Sequence, residues 1–375
     1  MRDRLERFSI GYMPDTNFGP YARPEPDAAT TKQCVDQLIE ESLLAEQAGF
    51  EGLFVPERHM RTETMFPDPL LLMGILAART KLARISSYAL IPTYGWNPLH
   101  LAETTALIDQ VSGGRLTLVV AMGVLEASWR MFGMDGRHRV SRFNESVELI
   151  KKAWTSTTPF SFHGKHFHYD NVILTPKPYQ RDPHPTLWGG GQVPAAIRRA
   201  GRFASGWCGD PFPIDREAWD RQTDAFREEA MKNGVENPKI ILMRDGFVAE
   251  SRAEAERLYG DAFVAEMLYY YDLGILHHHD PSILSRADVT VEKLRRSLVI
   301  GTPSECIEAL ERYRDEYRVD YVVMRFRMPL GPSRDAVLRC IRMFGETVLP
   351  HFHAHERPDA HKGAANVQGS GKVHP

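Results

Sequence analysis

Cysteine is scarce in this chain of 375 residues. The four present, Cys34, Cys208, Cys306 and Cys340, stand far apart with no paired spacing, which argues against a disulfide framework and a structural zinc site and points to reduced, buried thiols. An excess of one charge is also missing. Forty-six Lys and Arg against 49 Asp and Glu leave a formal charge of −3, so neither a nucleic acid nor a membrane surface has a basic field to bind. No apolar run approaches the ~18 residues of a membrane span, and the opening MRDRLERF lacks the apolar stretch of a secretion signal. A cytoplasmic protein is expected. Absent too are the G-x-G-x-x-G dinucleotide fingerprint, the G-x-x-x-x-G-K-[ST] phosphate loop and the G-x-S-x-G nucleophile turn. Nothing in the sequence therefore supports a dinucleotide site, a nucleotide loop or hydrolysis through an acyl-serine.

What is present is 43% hydrophobic residues, enough for a large core, arranged as short β-type runs alternating with helical periodicity. The runs are FSIGYM (8 to 13), GLFV (52 to 55), RISSYALI (84 to 91), RLTLVV (115 to 120), PTLW (185 to 188), GWC (206 to 208), KIILMRDGFV (239 to 248) and DYVVM (320 to 324). Helical faces lie between them: Val35, Leu38, Ile39 and Leu43 before Gly49; Leu101, Thr105 and Ile108; Phe143, Val147, Ile150 and Trp154; and finally Val337, Ile341, Phe344 and Val348. Eight β-then-α units favour a (β/α)8 TIM barrel in the α/β class, with an open doubly wound sheet as the alternative. A single domain over residues 1–350 is expected, with a hairpin insertion at 159–181, a lid insertion at 272–297 and a flexible tail at 351–375.

Barrel enzymes work at the C-terminal ends of their strands. Here those ends read PERHM (56 to 60), IPTYGWNP (91 to 98), AMGVLE (121 to 126), GGGQVP (189 to 194) and RFRMP (325 to 329). GGGQVP is the most informative. Glycines let backbone amides approach an oxyanion, and a helix beginning at Pro194 adds its positive end, so Gly190, Gly191 and Gln192 form a candidate phosphate site, with Arg139 as the assisting guanidinium. The histidine groups at 166/168, 277–279 and 351/353/355 lie in insertions and the tail, and only His59 stands at a strand end, so no catalytic metal is expected.

AGFEGLFVPERHM (48 to 60), LAETTALIDQVSGGRLTLVVAMG (101 to 123), FGMDGRHRVSRFNESVELIKKAW (132 to 154), PKPYQRDPHPTLWGGG (176 to 191), IGTPSECIEAL (300 to 310) and FGETVLPHF (344 to 352) occur in this order. In that order and spacing the chain resembles the bacterial luciferase-like flavin-dependent monooxygenases over roughly residues 8 to 352. The resemblance implies reduced FMN and O2, a flavin C4a-peroxide, a small organic substrate, a separate flavin reductase and a homodimer or higher homo-oligomer. It also implies a phosphate held by Arg139, Gly191 and Gln192, a non-proline cis peptide at Ser87–Tyr88 behind the flavin ring, and Ala121 and Met122 beside the ring and its phosphate arm. Luciferases carry a cysteine and an arginine at those two positions and paired histidines at Arg58 and His59, so light emission is not expected.

On that reading, His59, with Arg58 beside it, manages protons, while Tyr94, Trp96, Met122 and the 272–297 segment wall off water. Arg325 and Arg327 alternate along the last strand; they either face an anionic substrate or pair with acids such as Glu57 or Asp245. Three alternatives stay open: an F420-dependent oxidoreductase of the same fold, a metal-dependent barrel hydrolase and a non-catalytic flavin-binding barrel.

Overall fold

A computed structural model describes residues 8–21, 24–123, 125–209, 215–274, 276 and 282–353. The first four strands are β1 (Ser9–Tyr12), β2 (Gly52–Val55), β3 (Arg84–Ser87) and β4 (Leu116–Val120). An antiparallel hairpin follows, β5 (Phe160–His163) with β6 (His168–Val172), and then β7 (Thr186–Gly190), β8 (Gly206–Cys208), β9 (Lys239–Val248), β10 (Val299–Gly301) and β11 (Tyr321–Arg325). Eight of them pair in parallel in the order β9, β11, β1, β2, β3, β4, β7, β8, and β8 returns to β9 through Trp207 opposite Ile240. The sheet is therefore a closed barrel, and the open-sheet alternative falls away. Among the described residues no helix is long and apolar enough to cross a membrane.

Side-chain alternation explains why both faces of each strand are apolar. Ile10, Leu53, Ile85, Leu118, Ile240, Leu242 and Val322 pack outward beneath the helices. Met13, Phe54, Val119, Trp188, Cys208, Ile241, Tyr321 and Val323 fill the interior. The helices start where the sequence says they should: Asp68 and Asn97 cap Pro69–Arg79 and Pro98–Ser112 by accepting from first-turn amides, and proline holds the first position of both. Gly49 and Gly113 end the first and third helices, Ala28–Ala48 and Pro98–Ser112, in the left-handed conformation.

Two features add detail to the sequence reading. Between strands seven and eight of the barrel, the chain adds β10 on the upper half of β9 (Val299 opposite Gly246) and the helix Pro303–Asp315, which is capped by a reciprocal Thr302–Glu305 box. Three residues are too short a run to show period two, so sequence alone does not separate this unit from the connection. Residues 351–353 belong to the folded part. Leu349–His353 is helical, Phe352 packs on Phe8 at 5.2 Å, and His353 Nε2 lies 3.1 Å from Glu51 Oε1. One buried aromatic ring anchors a stretch whose composition is otherwise polar. The expected tail beyond residue 353 and the 277–279 histidines lie outside the described residues.

Candidate active site

The ends of β3, β4 and β7 form one half of the barrel mouth, built largely from backbone and small side chains. Tyr88 N–H still donates to Val55 O at 2.7 Å, so the chain leaves the ladder one residue later than expected, and the cis peptide is Tyr88–Ala89 rather than Ser87–Tyr88. Ser87 faces its neighbour strand: its hydroxyl donates to Val119 O at 2.8 Å and accepts from Val119 N–H at 3.0 Å, which ties β3 to β4 rather than offering a ligand contact. Tyr88 packs edge-on against Phe54, and its hydroxyl meets the Cys208 thiol; burial pushes both groups up, so both stay neutral.

The glycine turn sits beside this floor. A side chain at Gly190 would place its Cβ 3.2 Å from that of Ala121. Gly191 has φ +154°, and a Cβ there would lie 2.6 Å from Ala196 Cβ, inside the first turn of the helix Pro194–Gly201. Its carbonyl accepts from Trp207 Nε1 at 2.8 Å, which pins the turn with its backbone against the helix start. Gln192 is exposed at the same corner. Arg139 begins the facing helix Arg139–Thr155, is exposed, donates to Gly136 O at 2.8 Å and lies over the Trp129 ring. A further guanidinium went unnoticed in the sequence. Arg199 reaches from the helix Pro194–Gly201 to Met122, with Nη1 3.6 Å from Sδ. The signal was available, since long helical side chains lean toward the N-terminal end and Arg199 lies little more than a turn from the glycine corner.

Glu57 organises the next sector. Its buried carboxylate accepts from Ile91 N–H at 2.6 Å, Trp96 Nε1 at 2.9 Å and His59 Nε2 at 3.0 Å, so one side chain fixes both the loop after β3 and the histidine. A carboxylate only accepts, so His59 Nε2 carries hydrogen and Nδ1 is left to exchange a proton. The His59 ring stands edge-on to Phe132 at 4.8 Å and Tyr94 at 5.9 Å. Trp129 Nε1 donates to Thr93 Oγ1, which in turn donates to Met122 O at 2.9 Å. His59, Tyr94, Trp96 and Met122 are thus brought into one aromatic-lined sector. Glu57, expected at most as an arginine partner, is its hub.

The other half of the mouth, at β1, β2 and β11, is charged and buried. Arg58 turns away from His59 to pair with Asp15. Arg325 does not face a substrate: Nε and Nη2 hold Asp245 at 2.7 and 3.1 Å, and Nη1 holds Asp15 at 3.0 Å. Arg327 binds Glu41 at 3.0 Å and the carbonyls of Asn17 and Asp15. Strand alternation did turn Arg325 inward, but carboxylates already waited there, and buried guanidinium is tolerable only when paired. Burial pushes the Asp15 carboxyl up, yet Arg58, Arg325 and Arg327 outweigh this and hold it below the usual range. Four buried polar atoms in this half lack a hydrogen-bond partner: Thr16 Oγ1, Asn17 Nδ2, Arg61 Nη2 and Glu266 Oε1. Tyr21 donates to the other oxygen of Glu266, and the Arg61 guanidinium lies 4.3 Å from the Tyr269 ring centre.

Comparison with known proteins adds to this geometry. The family described as luciferase-like monooxygenase matches residues 16–318. The oxygenase component of a flavin-dependent trigonelline monooxygenase from Acinetobacter baylyi is 27% identical, over 87% of this chain and 92% of its own. An F420-dependent glucose-6-phosphate dehydrogenase from Microbacterium testaceum is 24% identical, over 84% and 93%. Among solved structures, monooxygenase RslO1 from Streptomyces bottropensis superposes with a TM-score of 0.74 at 24% identity, covering 92% of this chain and 99% of that one, a likeness of fold.

Proposed function

The chain belongs to the luciferase-like monooxygenase family, and from that premise we propose that it is the oxygenase component of a two-component system that uses reduced FMN and O2 to oxygenate a small organic substrate. The observation that carries this reading is the corner where Gly191, the start of the helix Pro194–Gly201, Arg139 and Arg199 converge. Glycine lets the turn pack directly against the helix start, where a Cβ would meet Ala196 at 2.6 Å, and that helix end with its two guanidiniums is the seat for a phosphate arm. Tyr88 and Ala89, packed on Phe54, and Ala121 beside the glycine turn are the residues that would hold the ring.

Bound there, the reduced flavin supplies the electrons that activate O2. The chain's own residues do the rest. Tyr94, Trp96, Phe132 and Trp129 exclude water from the sector above the floor. Glu57 orients His59 so that Nδ1 holds or releases a proton at the reacting face. A substrate admitted at the charged half would meet the unsatisfied hydrogen-bonding atoms of Arg61 and Asn17, which suit a polar organic molecule rather than a hydrocarbon. A reductase partner follows from the lack of a nicotinamide fingerprint. Homo-oligomerisation is supported by Leu71, Leu107 and Val111, exposed on the neighbouring helices Pro69–Arg79 and Pro98–Ser112.

The F420-dependent relative supports a second reading, hydride transfer without oxygen. One anaerobic titration separates them. Reduced FMN is expected to bind with saturation and reduced F420 weakly or not at all; saturable binding of F420 with no binding of FMN would overturn the oxygenase assignment.

A further inference from the structure

We propose that Arg199, acting with Arg139, makes the mouth selective for a cofactor that ends in a phosphate monoester, and so for FMN over the phosphodiester-bearing F420. This rests on the reading of the glycine corner as the phosphate site. The helix Pro194–Gly201 points its N-terminal end at the mouth, and its Cα–Cβ bonds tilt that way. Arg199 therefore leans back along the helix and ends at Met122, just past the end of β4. Met122 Sδ is a weak acceptor and cannot balance a guanidinium.

Arginine neighbours sharpen the point. Arg202 is paired with Glu229 at 3.2 Å, so its charge is matched. Arg139 and Arg199 pair with no carboxylate among the described residues; Arg139 rests on a carbonyl and a Trp ring. Burial and then the nearby charges of Arg202 and Arg139 push the Arg199 guanidinium down from its usual range, which means the corner is electropositive without an internal counter-ion. Elsewhere at the mouth Arg58, Arg325 and Arg327 each hold an acid, while Arg244 is packed on the Met243 carbonyl and the Tyr313 ring. Here two are left unmatched, beside a helix N-terminus that adds further positive potential.

The charge that fits this corner is close to two negative units. A terminal phosphate monoester carries about −1.5 to −2 at neutral pH, and its three free oxygens can take two guanidinium forks. A phosphodiester carries a single charge and two free oxygens, leaving one arginine unsatisfied. The second arginine is thus the element that distinguishes the two cofactor classes, because either cofactor would satisfy one arginine and the helix end.

The test is an anaerobic equilibrium titration of the intact protein with reduced FMN, reduced riboflavin and reduced F420, in wild type, Arg199→Met and Arg199→Lys. Arg199→Met is expected to weaken FMN binding about tenfold, the scale of one charged hydrogen-bonded contact, and to leave riboflavin unchanged. The preference for FMN over F420 should fall by the same factor. Arg199→Lys should recover part of it, since it keeps the charge and loses the fork. Equal losses for FMN and riboflavin would mean a packing role and overturn the proposal, as would an unchanged FMN-to-F420 ratio. Wild type that binds F420 and neither flavin would instead sink the parent reading of the site.

Discussion

The two halves of the barrel mouth use the same side chain for opposite purposes. At β1, β2 and β11, Arg325 and Arg327 are almost wholly enclosed and held by Asp15, Asp245 and Glu41. At β4 and β7, Arg139 and Arg199 are partly open, and no acid among the described residues meets them. Burial with a partner turns a guanidinium into framework, because removing it strands carboxylates in a medium that cannot solvate them. Exposure without a partner beside open backbone leaves it ready for a ligand. A residue's type therefore says little about its role until its counter-charges are known.

Arg325→Met tests the framework half most severely. It leaves Asp15, Asp245 and Glu266 without their shared cation and should cost about 3–5 kcal/mol of stability. Arg139→Met, by contrast, should stay within about 0.5 kcal/mol of wild type. Urea unfolding of both variants checks the contrast, which collapses if they unfold at the same midpoint.

Gly191→Ala probes the ligand half. The added Cβ meets Ala196 at 2.6 Å and forces the helix start away from the turn, at a cost of about 1–3 kcal/mol. Binding of reduced FMN should drop more than that of reduced riboflavin, since the displaced backbone belongs to the phosphate cradle. A variant that keeps wild-type affinity for both would remove the glycine corner from the site.

How far these halves could be read in advance follows from the kind of signal each leaves. The eight strands and the glycine turn were legible because alternation, proline starts and glycine ends are local features, as at Pro98, Gly113 and Gly191. The hairpin after Trp154 was legible for the same reason. The partners of Arg325 and Arg327 were not, although Asp245 had been weighed. Asp15 lies 310 residues from Arg325 and Glu41 286 from Arg327, and barrel closure of β11 on β1 brings them near. Glu57 was similarly hidden, since two of its three donors, Ile91 and Trp96, come from the loop after β3, more than thirty residues away.

Acid sharpens the comparison further, because the framework half contains a fully buried carboxylate, Asp15, held below its usual range by arginines. A depressed folded pKa means that Asp15 contributes stability above its unfolded pKa of about 3.9, and that this contribution disappears as pH falls through the lower folded value. Wild type should therefore exceed Asp15→Asn in stability at pH 7, with the gap closing below about pH 4. Unfolding midpoints of the two proteins across pH 3 to 7 would measure it, and a gap independent of pH would mean that Asp15 acts through shape alone.

His59 stands between the halves, and its expected effect is the smallest and the most specific. Its ring packs against Phe132 and Tyr94, while its Nε2–H is held by Glu57. Two roles are therefore combined in one side chain, a wall that excludes water and a proton carrier. His59→Ala removes both and should lower the product formed per reduced FMN oxidised several-fold without changing FMN affinity, because nothing of His59 touches the glycine corner. His59→Phe separates them: it restores the ring between Phe132 and Tyr94 but carries no exchangeable proton, and it leaves a Glu57 oxygen without one donor. If proton handling is the role, the phenylalanine variant stays as uncoupled as the alanine variant. If it recovers wild-type coupling, the histidine is a wall, and the proton must be managed by another group.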